Sequence, residues 1–140
     1  MKIAIINGPN LNMLGKREPQ IYGTRTFDDY LDELRHRYDN IRFVYFQSNH
    51  EGDLIDKVKE YGEDCEGIVI NAGGYTHTSI ALRDAIAATN AKVVEVHISD
   101  IYAREEFRHH SFLKDVCQAS YVGYGLKGYD MAIDKIISLT

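Results

Sequence analysis

The chain has 140 residues, 44% hydrophobic and 26% charged, the composition expected of one soluble domain built round a single core. Its net charge of −5 gives no general electrostatic attraction to nucleic acid or anionic membrane, and no apolar run is long enough to span a bilayer. An acidic chain that binds a small anion must gather its cations locally, so the arginines mark where to look.

In chain order, the first strand is expected over Lys2–Asn7. Its apolar run, Ile3 to Ile6, is too short for a secretory signal and is stopped by Asn7-Gly8-Pro9. The loop that follows reaches Gly23, which is long for a strand-to-helix connection and suggests a lid. It carries Asn10, Asn12, Lys16, Arg17 and Tyr22 but has neither Gly-x-Gly-x-x-Gly nor Gly-Lys-Ser/Thr, so a phosphate cradle is not expected. Most of the ten tyrosines read as packing; Tyr22 stands apart, in the lid beside Gly23 and near Arg17.

A helix is expected from Thr26 to Tyr38, with Phe27, Tyr30, Leu31 and Leu34 on one face and Thr26-x-x-Asp29 as a capping box. Strand Ile41–Gln47 follows, then a helix from Asp53 to Tyr61 stopped by Gly62. Strand Gly67–Asn71 runs into Ala-Gly-Gly-Tyr-Thr-His77, where Gly73 and Gly74 let backbone approach a ligand. The next helix, Ser79 to Thr89, is Ala-rich. If His77 opens it, His77 and Asp84 lie on one face; otherwise Thr76 or Thr78 caps it and His77 is solvated.

Strand Lys92–His97 places Glu95 and His97 on the same face. A carboxylate beside an imidazole fixes its tautomer and favours the protonated ring, which makes a general acid; the alternative is a surface pair on an edge strand. Arg104 and Arg108, four apart, could share a helical face and with Arg17 meet an anion, or could sit on a solvated turn paired to Glu105 and Glu106. His109-His110 does not have the spacing of a metal site, and isolated Cys65 and Cys117 fit a reduced, cytosolic location. The last strand is expected at Tyr121–Tyr124 and the last helix at Gly128–Leu139.

Five strands alternating with helices imply an α/β fold, a flavodoxin-like three-layer sandwich with a five-stranded parallel sheet in the order 2-1-3-4-5. Asn7, Asn71 and His97 then end three strands at the carboxyl edge, where such sheets bind ligands.

Taken together, the blocks Ile6-Asn-Gly-Pro-Asn-Leu-Asn-x-Leu-Gly-x-Arg-Glu-Pro, Ile21-Tyr-Gly, Gln47-Ser-Asn-x-Glu-Gly, Asn71-Ala-Gly-Gly-Tyr-Thr-His-Thr-Ser, Glu95-Val-His-Ile-Ser and Ala103-Arg-Glu-Glu-Phe-Arg-His-His-Ser resemble type II 3-dehydroquinate dehydratases. The resemblance spans almost the whole chain, in order. It implies one catalytic domain over 1–140, reversible elimination of water from 3-dehydroquinate, no metal or cofactor, and a cytoplasmic homododecamer made of four trimers. It implies Tyr22 as the base, Arg17 as its activator, His97 as the proton donor, Glu95 as the partner of His97, and Asn10 as a water-mediated stabiliser of the enolate. Asn71, Gly73, His77, Asp84, Arg108 and the backbone of Ile98 and Ser99 match substrate-binding positions. One stretch departs: Asp100-Ile101-Tyr102 stands where the family has Asn, a β-branched residue and His, adding a negative charge near the anion site.

Two other classes are weighed against this. A flavodoxin-like receiver or binding module needs a phosphate loop after strand one or an acidic cluster, and neither is present. Another lyase or hydrolase on the same sheet is the second. A Schiff-base enzyme of the type I kind needs a TIM barrel, which 140 residues cannot build.

Overall fold

A computed structural model describes residues 1–13 and 26–140. Five strands, β1 (Lys2–Asn7), β2 (Arg42–Gln47), β3 (Gly67–Asn71), β4 (Lys92–His97) and β5 (Ala119–Val122), form one parallel sheet in the order β2-β1-β3-β4-β5. Among the described residues, four α-helices cover it: α1 (Phe27–Arg37), α2 (Glu51–Asp64), α3 (Ile80–Ala88) and α4 (Lys127–Leu139).

The layering follows from the two-residue period of the strands. Ile3, Ile5, Val69, Val94 and Val96 pack on one face against Leu31 and Leu34 of α1 and Tyr129, Ile133 and Ile136 of α4. Ala4, Ile6, Ile68, Ile70 and Val93 pack on the other against Leu54 and Val58 of α2 and Leu82 and Ile86 of α3. With both faces covered, the interiors of β1 and β3 are apolar until Asn7 and Asn71 end them, while β4 carries Glu95 inside the strand.

Several boundaries differ from expectation. Gly62 does not stop α2, which continues to Asp64. A Cβ at Gly62 would stand 1.9 Å from Thr89 Oγ1, so this glycine serves close packing between α2 and the end of α3. Strand β5 begins at Ala119, two residues early, because Gln118 N donates to Val93 O and brings the chain alongside β4 sooner. Thr26 caps α1 as expected, its Oγ1 accepting from Asp29 N at 3.2 Å. The cap of α3 is Ser79, whose Oγ accepts from Leu82 N at 2.9 Å, rather than Thr76 or Thr78.

Candidate active site

The order β2-β1-β3 reverses the direction of winding between β1 and β3, and a cleft opens at the carboxyl ends of the strands there. It holds a cavity of about 380 Å³. Of the expected site residues, Asn71, Gly73, His77 and His97 line it from β3 and β4 and the turns after them. Asn10, Ile98, Ser99 and Arg108 complete the wall. Glu95 lies behind His97, buried to 1% exposure. Asp84 does not line its own chain's cavity; it is exposed on α3 with Arg83 Nη1 at 3.7 Å. Arg17 and Tyr22 lie outside the described residues.

The most buried polar cluster of the cleft is built on β4. His97 is 5% exposed, and its Nε2 meets Glu95 Oε2 at 2.8 Å. The same oxygen accepts from Ser111 Oγ at 2.6 Å, and Oε1 accepts from Ser120 Oγ at 2.5 Å. Burial alone would raise the Glu95 carboxyl, but His97 and the two hydroxyls outweigh it and hold it below the ordinary carboxyl range. A carboxylate so fixed takes the Nε2 hydrogen and leaves Nδ1 as the ring nitrogen not engaged by Glu95. The expected pair is therefore present and buried, which removes the alternative of a surface pair.

His77 does not open a helix. It ends a short 3-10 turn, Gly73–His77, before the α3 cap. Its Nδ1 lies 2.7 Å from the carbonyl of His110, which can only accept, so Nδ1 carries the hydrogen and Nε2 the lone pair. Burial lowers its pKa, against the pull of that carbonyl, and the charges of His97 and Arg108 lower it further. His77 therefore presents a neutral acceptor, its ring stacked 6.3 Å from that of His97. Asn71 presents the complement: its Oδ1 accepts from Gly73 N at 3.2 Å while Nδ2 remains a donor. Gly73 sits at φ +60, a conformation that favours glycine, and a Cβ there would fit tightly against Pro9 Cδ at 3.2 Å. Opposite, Asn10 adopts φ 67, with its N–H on Asn49 Oδ1 at 3.0 Å. An asparagine held in the left-handed region at a cleft is the kind of strained residue that accompanies function.

The arginines do not share one helix. Two 3-10 turns, Ile101–Ala103 and Glu106–Arg108, are separated by extended Arg104 and by Glu105. Both Arg104 and Arg108 nevertheless line the cavity. Glu105 takes Arg108 Nε at 3.1 Å, leaving the Nη groups to donate to an anion. Asp100 does not face the cavity; its Oδ1 accepts from Tyr102 N at 3.0 Å and caps the first turn, work an asparagine does equally well. The charge that Asp100 adds is thus absorbed locally.

Sequence reasoning missed the hydroxyls that hold Glu95. Ser120 is opposite Glu95 in the β4–β5 register, so strand pairing would have found it. Ser111 also accepts from Leu113 N and Lys114 N, which leaves its own hydrogen to Glu95 and pins the arginine-bearing loop to the acid. Neither cysteine lines the cavity, and burial raises both thiols. His109 and His110 separate, His109 Nε2 lying 3.0 Å from Arg104 O and the His110 ring packing on Phe112.

A parallel α/β sheet with a carboxylate-held imidazole and an arginine at its switch point defines an acid–base enzyme acting on a small anionic substrate. The chain belongs to the class II dehydroquinase family, whose model matches residues 1–137. It is 54% identical over 136 residues to the 3-dehydroquinate dehydratase of Bacillus pumilus, covering 96% of this chain and 92% of that protein. It is 49% identical to that of Prochlorococcus marinus, covering 99% and 97%. Among solved structures, the type II dehydroquinase of Butyrivibrio crossotus superposes with a TM-score of 0.94 at 50% identity, covering 98% and 97% of the chains. A 3-dehydroquinate dehydratase-like protein from Bifidobacterium longum, at 22% identity and a TM-score of 0.72, shares the fold.

Proposed function

We propose that the chain is a hydro-lyase that converts 3-dehydroquinate to 3-dehydroshikimate by anti-elimination of water through an enolate, the dehydratase step of the shikimate pathway. The buried Glu95–His97 pair at the floor of the cleft carries this reading. The proton lost lies alpha to a ketone, so a base and an enolate stabiliser suffice, and the hydroxyl leaves poorly, so it needs an acid. His97 is that acid, donating from Nδ1 while Glu95 holds Nε2. Tyr22 is the base, Arg17 lowers the cost of ionising it, and Asn10 holds charge on the enolate oxygen through water. Asn71, His77, Arg108 and the Ile98–Ser99 backbone bind the substrate's hydroxyls and carboxylate, with Gly73 giving them room. The chemistry calls for no metal or organic cofactor. The 140 residues act as one catalytic unit, in the cytoplasm, as a homododecamer of four trimers in which Asp84 serves a neighbour's site.

The test is direct. Incubation with 3-dehydroquinate should generate the ultraviolet absorbance of the conjugated enone product and should be insensitive to chelators. An absorbance that never rises with folded protein would overturn the reading.

A further inference from the structure

A buried polar network lies behind Asn71, and the acid–base chemistry does not use it. Asn7 and Asn71 are register partners at the ends of β1 and β3. Between them stands Tyr129 of α4, with no exposed surface. Tyr129 Oη donates to Asn7 Oδ1 at 2.7 Å and accepts from Asn71 Nδ2 at 3.1 Å. Asn7 Nδ2 continues to Tyr45 Oη at 3.2 Å.

The direction of this chain is fixed from its far end. The Gly73 N–H can only donate, so it takes Asn71 Oδ1 and turns the amide nitrogen toward Tyr129. A phenol has one hydrogen. Tyr129 must therefore accept from Asn71 and spend its hydrogen on Asn7. Burial pushes the Tyr129 hydroxyl far up, so it stays protonated. The Asn71 amide is thus held at two points, and what it can still donate to the cavity it lines is its second Nδ2 hydrogen.

We propose that Tyr129 is a positioning residue for the reaction: it locks the Asn71 amide so that Asn71 meets a substrate oxygen as a hydrogen-bond donor. The inference rests on the cavity being the 3-dehydroquinate site. Asn71 then recognises an oxygen that can accept, a carboxylate or a hydroxyl lone pair, and rejects a pose that offers it only a donor.

The test is a double-mutant cycle in steady-state kinetics on the intact assembly. Tyr129→Phe keeps the ring against Phe27, 4.9 Å away, and removes one anchor of the amide. It should raise the Michaelis constant about ten-fold with a smaller change in turnover, the size expected from one hydrogen bond. Its pH profile should match the wild type, because His97 is untouched. Combined with Asn71→Ala, it should cost nothing beyond Asn71→Ala alone. Additive losses, or an unchanged Michaelis constant in Tyr129→Phe, would overturn the proposal. Should Tyr129→Phe fail to fold, Asn7→Ala runs the same cycle, since it frees the Tyr129 hydrogen to turn on Asn71; additivity there overturns it equally. An inactive wild type would sink the substrate reading and this inference with it, whereas an active wild type with additive variants sinks the inference alone.

Discussion

Two histidines whose rings lie 6.3 Å apart are held in different states because their partners differ. A carboxylate holds His97 and a carbonyl holds His77, so one can give a proton and the other can only accept a hydrogen bond. His97→Ala should cut turnover by at least ~100-fold, the lower end for loss of a general acid, while circular dichroism stays native. A change of only a few-fold would place the acid elsewhere. Glu95 carries a second expectation. Its folded carboxyl lies below the ordinary 4.5, so the stability it contributes is complete above that pH and is lost as pH falls through the depressed value. Thermal melts of Glu95→Gln should therefore lose much of the wild type's decline below pH 4.5; parallel curves would show that Glu95 is not its source. For the base, a free tyrosine of pKa ~10 is ionised about once in a thousand at pH 7, and a guanidinium nearby lowers that cost. Tyr22→Phe and Arg17→Ala should each lower turnover by decades, and the double variant little further. If Arg17→Ala mainly raised the Michaelis constant and Tyr22→Phe stayed competent, Tyr22 would not be the base.

The secondary elements were legible wherever local chemistry set them. Alternation placed Glu95 and His97 on one face, and the polar ends Asn71 and His97 did mark the cleft, whereas Asn7 is buried behind it. What could not be read came from distant partners. Gly62 looks like a helix stop, yet its neighbour is Thr89, on another element. Ser79 rather than a threonine caps α3 because the Gly73–His77 turn consumes the preceding residues. Tyr129 reads as one more apolar contact on the face of α4, since the period says which way it points and not what its hydroxyl finds. A further test belongs here. In a solvated helix Gly62→Ala would stabilise by roughly 0.5–1 kcal/mol. Against Thr89 it should instead lower the melting temperature, and Thr89→Ala should rescue it by removing the Oγ1 that stands 1.9 Å from the new Cβ. A Gly62→Ala protein more stable than the wild type would refute the packing role.

At the scale of the molecule, the single chain leaves apolar side chains in water close to its own chemistry. Phe107 is 67% exposed and neighbours Arg108, which lines the cavity; Ile80 is 57% exposed at the start of α3. Ile80 and Asp84 are four residues apart, so they share a face of α3. A neighbouring copy that covers Ile80 also takes Asp84, and if the surface it brings is that around Phe107, the Asp84 carboxylate arrives beside the neighbour's Arg108. That pairing is what the proposed trimer, with its sites completed in trans, requires. Light scattering under assay conditions should return about twelve times the 16.0 kDa chain mass. Phe107→Asp should break the contact, leave a folded smaller species, and raise the Michaelis constant. Asp84→Ala should weaken substrate binding without changing the mass. A fully active species of 16.0 kDa would overturn the assembly, and full activity in Asp84→Ala would remove that residue from the site while leaving the assembly standing.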